Sequence, residues 1–131
     1  MAWKFHDGGR AAAGFKGKAG DCVCRAISIA LELDYREVYA ALKVACRPEQ
    51  RRGKFCSPKK GIYPATSSRL LKELGWMWTD AEHWSELPDG RIIVKFDGHL
   101  TAMVDGVIMD THDSGHQGTR EVLGYFSYEG V

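Results

Sequence analysis

His99-Leu100-Thr101-Ala102-Met103-Val104-Asp105-Gly106-Val107-Ile108-Met109-Asp110 reads as two strands joined by a two-residue turn. Asp-Gly is a strong hairpin signal, because both turn positions need the positive φ that Asp tolerates and Gly adopts freely. Pairing outward from this turn sets Val104 opposite Val107 and, by extension, His99 opposite His112. Alternate residues of a strand share a face, so His99, Thr101 and Met103 point together, with Ile108, Asp110 and His112 across from them. Asp110 is then diagonal to His99, at the ~7–8 Å Cα spacing that a planar side chain can span. Asp113 falls on the other face and Asp105 in the turn, so this register selects Asp110 as the acid that orients His99. A slip of one residue would reverse the choice.

Around the hairpin the second half of the chain continues as strands. Arg91 to Phe96 carries the run Ile92-Ile93-Val94, which predicts burial on both faces. Trp76-Met77-Trp78 is a shorter candidate, a turn is expected at Pro88-Asp89-Gly90, and a last strand is expected from Glu121 to about Tyr128. Trp76, Trp78 and Trp84 are read as core aromatics.

The first half is helical. From Cys22, the residues Val23, Ala26, Ile27, Ala30 and Leu31 recur on one face, with Arg25, Ser28 and Glu32 opposite. Asp21 is placed to cap this helix. Asp34 and Glu37 have capping-box spacing ahead of the apolar face Val38, Ala41, Leu42 and Ala45, and Pro48 is expected to end that second helix. A third helix is expected over 67–74, with Gly75 as its stop. Helices followed by an antiparallel sheet make an α+β fold. At 131 residues the chain reads as one domain, with 1–20 as an extended N-terminal arm.

Eighteen basic and 17 acidic residues nearly cancel, which argues against a polyanionic partner for the chain as a whole. No stretch approaches the ~20 apolar residues of a membrane span, and the N-terminus lacks a signal-peptide pattern, so a cytoplasmic protein is expected. Disulfides are then disfavoured among Cys22, Cys24, Cys46 and Cys56. Their spacing also lacks the paired pattern of a zinc site. Most are expected to be small buried hydrophobes. No metal or other cofactor is expected.

Cys22 differs from the other three. It lies in the first helical turn at the edge of the apolar stripe, while Cys24 falls near the polar face. Unpaired amides there favour a thiolate, whereas the neighbouring Asp21 opposes it. Residues 47–62 form a basic loop with Arg47, Arg51, Arg52, Lys54, Lys59 and Lys60 against Glu49 alone. Solvated surface is its default reading. Nucleic-acid binding through this loop and Phe55 is disfavoured by the balanced net charge, and a flank of the cleft selecting acidic substrates is the other reading.

A helix-borne cysteine followed by a strand-borne histidine and an acid resembles the papain-like cysteine peptidase superfamily, in its compact bacterial form. More closely, the chain resembles a group of short bacterial and phage proteins. That likeness is carried by Gly17-Lys18-Ala19-Gly20-Asp21-Cys22 with Arg25-Ala26, Leu74-Gly75-Trp76, Glu86-Leu87-Pro88, His99 through Asp113, and Leu123-Gly124-Tyr125-Phe126. The resemblance implies a papain-like fold with Cys22 as nucleophile, His99 as general base and then acid, and Asp110 as the orienting residue. It also implies a peptide or protein substrate cleaved at an amide or isopeptide bond. Acyl transfer by the same pair, or a binding module without catalysis, are the alternatives. The family commonly places a glutamine just before the nucleophile to stabilise the oxyanion, and here that place holds Lys16 and Lys18. Either lysine, with the Cys22 amide, is the expected substitute, and His112 is expected to face His99 and tune its charge.

Overall fold

The computed structural model describes residues 2–17 and 19–128. In chain order its elements are β1 (Trp3–Phe5), α1 (Cys22–Leu31), α2 (Tyr35–Ala45), the single turn α3 (Arg47–Arg51) and α4 (Pro64–Glu73). Then follow β2 (Trp76–Asp80), β3 (Arg91–Phe96), β4 (His99–Val104), β5 (Val107–Asp110) and β6 (Gly124–Tyr128). The fold is α+β. Its mixed six-stranded sheet has the order β1-β5-β4-β3-β6-β2.

The hairpin forms in the expected register. Val104 pairs with Val107, Met103 with Ile108 and Ala102 with Met109. Asp105 and Gly106 both adopt positive φ, 48° and 81°, as the tight turn requires. Next to it, Phe96 pairs with His99 and Ile93 with Ala102. The alternation separates two cores. Ile93, Leu100 and Ala102 pack with the helices, whereas Ile92, Val94, Phe96 and Met103 pack with Ala81, Val122, Trp84 and Leu87 from the connecting segments. Ile92, Ile93 and Val94 are all buried, because both sheet faces are covered.

Helix α1 is not amphipathic in its surroundings. Cys24 and Ser28, expected near the polar face, are buried along with Val23, Ala26, Ile27, Ile29 and Ala30. The sheet covers one side of the helix and α2 another. The turn at Gly8 approaches so closely that a Cβ there would lie 3.1 Å from Arg25 Cα. A helix enclosed on several sides has little need of a polar stripe.

Four local expectations are corrected. Asp21 and Asp34 occupy N-cap positions, but neither side chain makes a capping hydrogen bond. Pro48 does more than end α2, since it sits in the first turn of α3, where its fixed φ is favourable. The 1–20 arm is extended only over Trp3–Phe5, which adds β1 in parallel to β5. It then turns back to place Phe15 against Tyr35 and Tyr39. Finally, Cys46 and Cys56 are joined as a disulfide across a Cα–Cα distance of 5.5 Å. The reversal through α3 brings them together, which compartment-based reasoning from the sequence did not anticipate.

Of the tryptophans, Trp76 is buried and Trp84 packs on Phe96, while Trp78 is 39% exposed. Trp78 lies over Gly124, and a Cβ on Gly124 would fall 2.3 Å from its ring and 2.6 Å from the Thr79 carbonyl oxygen. The ring can move, but the backbone carbonyl is held in the β2–β6 ladder. Gly124→Ala should therefore cost about 1–3 kcal/mol. Thermal unfolding followed by circular dichroism would read this as a drop of several degrees, and an unchanged midpoint would contradict the close approach. No helix among the described residues is long and apolar enough to cross a membrane.

Candidate active site

Cys22 is the first residue of α1 and His99 the first of β4. The packing of α1 on the sheet brings the thiol and the imidazole together on one cleft. His99 Nε2 donates to Asp110 Oδ2 at 2.9 Å, which leaves Nδ1 outside that bond. A carboxylate only accepts, so Asp110 fixes the proton on Nε2. The imidazole ring lies parallel to Phe96, at an interplanar angle of 5°, with its centroid 6.3 Å away. Cys22 and His99 face a cleft of about 440 Å³ that Gly20, Lys60, His112 and Phe126 also line.

Asp110 is buried and densely solvated by the protein. Its Oδ2 accepts from His99 and from Thr101 Oγ at 2.7 Å, and its Oδ1 accepts from the Thr111 N–H at 2.7 Å and Arg25 at 3.4 Å. Burial opposes ionisation here, but these donors hold the carboxyl far below its ordinary range. Burial likewise disfavours a charged His99, but the bond to Asp110 and the neighbouring Cys22 thiol raise it to about 9. For Cys22, burial pushes the thiol up. His99, the Leu100 N–H and the nearby Arg25 charge outweigh it and hold the thiol below its usual value. Cys24 has no imidazole beside it, and burial, aided by the Asp21 charge, outweighs Tyr35, Ser28 and Arg25 and pushes it up to about 12.

Asp21 lines the cleft, but not as the uncompensated charge expected beside the sulfur. It accepts from Tyr35 Oη at 2.6 Å, is paired with Arg25 in close contact, and lies 3.4 Å from Arg10 Nε. Arg25 thus bridges two buried carboxylates, Asp21 and Asp110. Two residues of this site were missed as such in the sequence: Arg25 and Thr101. Each had a signal, since Arg25 is four residues after Asp21 on a helix and Thr101 shares the His99 face.

The oxyanion candidates fare differently. Lys16 is exposed and does not line the cleft, and its carbonyl instead accepts from Arg10 at 3.1 Å. Lys18 lies outside the described residues. The first helical bond of α1 runs from the Arg25 N–H to the Asp21 carbonyl, so the Cys22 amide has no partner within the helix backbone. Gly20, two residues before it, meets the opposite wall, where an added Cβ would lie 2.9 Å from the Lys60 carbonyl oxygen.

His112 is half exposed, and its ring centroid lies 5.4 Å from that of His99. Together with Asp110, the two histidines offer ligand atoms within 4.8 Å of one another. A cation there would have to displace the donors that already fill both Asp110 oxygens, beside the Arg25 charge. The arrangement suits an oriented imidazole better than a metal centre.

No known protein family, curated protein or solved structure matches this chain.

Proposed function

We propose that the protein is a cysteine hydrolase of papain-like type, acting on an amide or isopeptide bond of a peptide or protein. The observation that carries this reading is the convergence of three side chains. His99 is hydrogen-bonded to Asp110 and shares one cleft with Cys22. A thiol lowered beside an imidazole raised to about 9 shifts the two groups toward a thiolate–imidazolium pair. The order of a nucleophile helix first and an antiparallel hairpin bearing the histidine later also fits the papain-like pattern.

In this mechanism the Cys22 thiolate attacks the acyl carbon while the developing oxyanion meets the Cys22 amide. The His99 imidazolium gives its proton to the departing amine, leaving a thioester. Neutral His99 then takes a proton from water as the water attacks, and Cys22 leaves as thiolate. An amine in place of water would give acyl transfer through the same intermediate. One observation favours a second reading, a binding module on the same fold: Lys16 lies away from the cleft, so no upstream side chain among the described residues supplies a second oxyanion donor. Such a donor is worth about 3–4 kcal/mol in the transition state.

p-Nitrophenyl acetate tests the two readings directly. Intact-mass spectra should show one acetyl group on Cys22 that disappears with time, and none on Cys22→Ser. The rate should climb as pH rises through the lowered Cys22 value and fall above about 9 as His99 loses its proton. A Cys22 acetyl group that never turns over would favour the binding module.

A further inference from the structure

The reversal between α2 and α4 presents a concentrated positive surface. Arg47, Arg51, Arg52, Lys54, Lys59 and Lys60 are all exposed. The acid in this stretch, Glu49, is only 7% exposed and is neutralised by Arg69, with each guanidinium nitrogen 3.5 Å from a carboxylate oxygen. The fold has therefore removed the counter-charge from the surface while leaving the cations on it. The Cys46–Cys56 disulfide closes the segment into a knob. Phe55 stands 66% exposed on it, with the Lys60 ammonium 5.9 Å from its ring centroid. The knob also abuts the candidate active site, since Lys60 and Gly61 form a wall of the cleft that holds Cys22 and His99.

We infer that this knob is an exosite that docks an acidic segment of a polypeptide substrate and so places a neighbouring acyl group over Cys22. This assignment rests on the hydrolase reading for the identity of its ligand. A polypeptide is favoured over a nucleic acid because the adjoining chemistry acts on acyl carbons, and because the chain as a whole carries a net charge of only +1. Clustered cations beside a reactive cleft raise the local concentration of an anionic substrate, an effect that salt weakens.

The test uses the full chain with Cys22→Ala, so that binding is measured apart from catalysis. A fluorescein-labelled oligoglutamate peptide should bind, with affinity that falls as salt is raised. The triple variant Arg51→Glu, Arg52→Glu, Lys54→Glu, altered only at exposed positions, should weaken binding by at least about tenfold. Tighter binding of a single-stranded oligonucleotide of equal charge would assign the surface to nucleic acid and overturn the proposal. So would oligoglutamate binding that is absent or indifferent to charge reversal. On the Cys22 protein, an oligoglutamyl-glycine chloromethyl ketone should label the thiol faster than its uncharged analogue, and the advantage should vanish in the triple variant. Labelling by iodoacetamide should be the same in both proteins. Rapid iodoacetamide labelling without the glutamate advantage would overturn the exosite alone. Slow labelling by both reagents would overturn the activated thiol, while the binding measurement would still judge the exosite.

Discussion

His99→Ala should slow alkylation of Cys22 by iodoacetamide at pH 7 several-fold, and by less than about 30-fold, since an ordinary thiol of pKa about 8.5 is only a few per cent thiolate there. Removing the imidazole takes away the neighbouring group whose proton and charge offset burial of the sulfur. The Leu100 N–H and Arg25 remain, so the thiol rises but retains part of its stabilisation. The rate changes less than the thiolate fraction, because a more basic thiolate is also intrinsically more nucleophilic, with a Brønsted slope of about 0.4–0.5. Cys24 is an internal control. It is fully buried and raised to about 12, so it should stay unlabelled in both proteins. Peptide mass spectrometry across a pH series gives each cysteine its own curve. A wild-type Cys22 that reacts no faster than a free thiol would sink the activated-nucleophile reading.

Arg25→Met should lower stability by about 3–5 kcal/mol, the usual cost of removing one partner from a buried ionic network. The Arg25 side chain is 11% exposed, and its two partners, Asp21 and Asp110, are 2% and 3% exposed. Methionine fills similar volume but leaves both carboxylates short of a cation. Asp21 keeps Tyr35 and Arg10, and Asp110 keeps His99, Thr101 and the Thr111 N–H, so the loss is partial rather than complete. For a chain of this size the thermal midpoint should fall by roughly 10–20 °C. Arg25→Lys keeps the charge but not the fork that spans two acids, and should fall between the two. A methionine variant as stable as the wild type would mean that the bridge contributes nothing.

Much of the sheet was legible because hairpins are encoded locally. Asp105-Gly106 set the turn, the turn set the register, and the register put Asp110 diagonal to His99, where the structure has them hydrogen-bonded. The bounds of β3 and β4 followed from Arg91 and His99 for the same reason. The helices were less complete. The periodicity of α1 was visible, yet its supposed polar face is buried, because no window of sequence counts how many elements pack around a helix. Arg25 stood four residues from Asp21, but its second partner lies 85 residues away.

By itself, then, the sequence determined the helix periods, the hairpin register and the chain order of Cys22, His99 and Asp110. Each of these depends on residues within a few positions of one another, where backbone geometry alone relates side chains. Tertiary structure decided the rest: the meeting of Cys22 and His99 at one cleft, the parallel docking of β1 on β5, the Cys46–Cys56 closure, the burial of Cys24 and the Arg25 bridge. It also decided that Asp21 would pair with cations instead of capping a helix. These features join distant segments, and the burial of shared apolar surface brings them together, which no local pattern records.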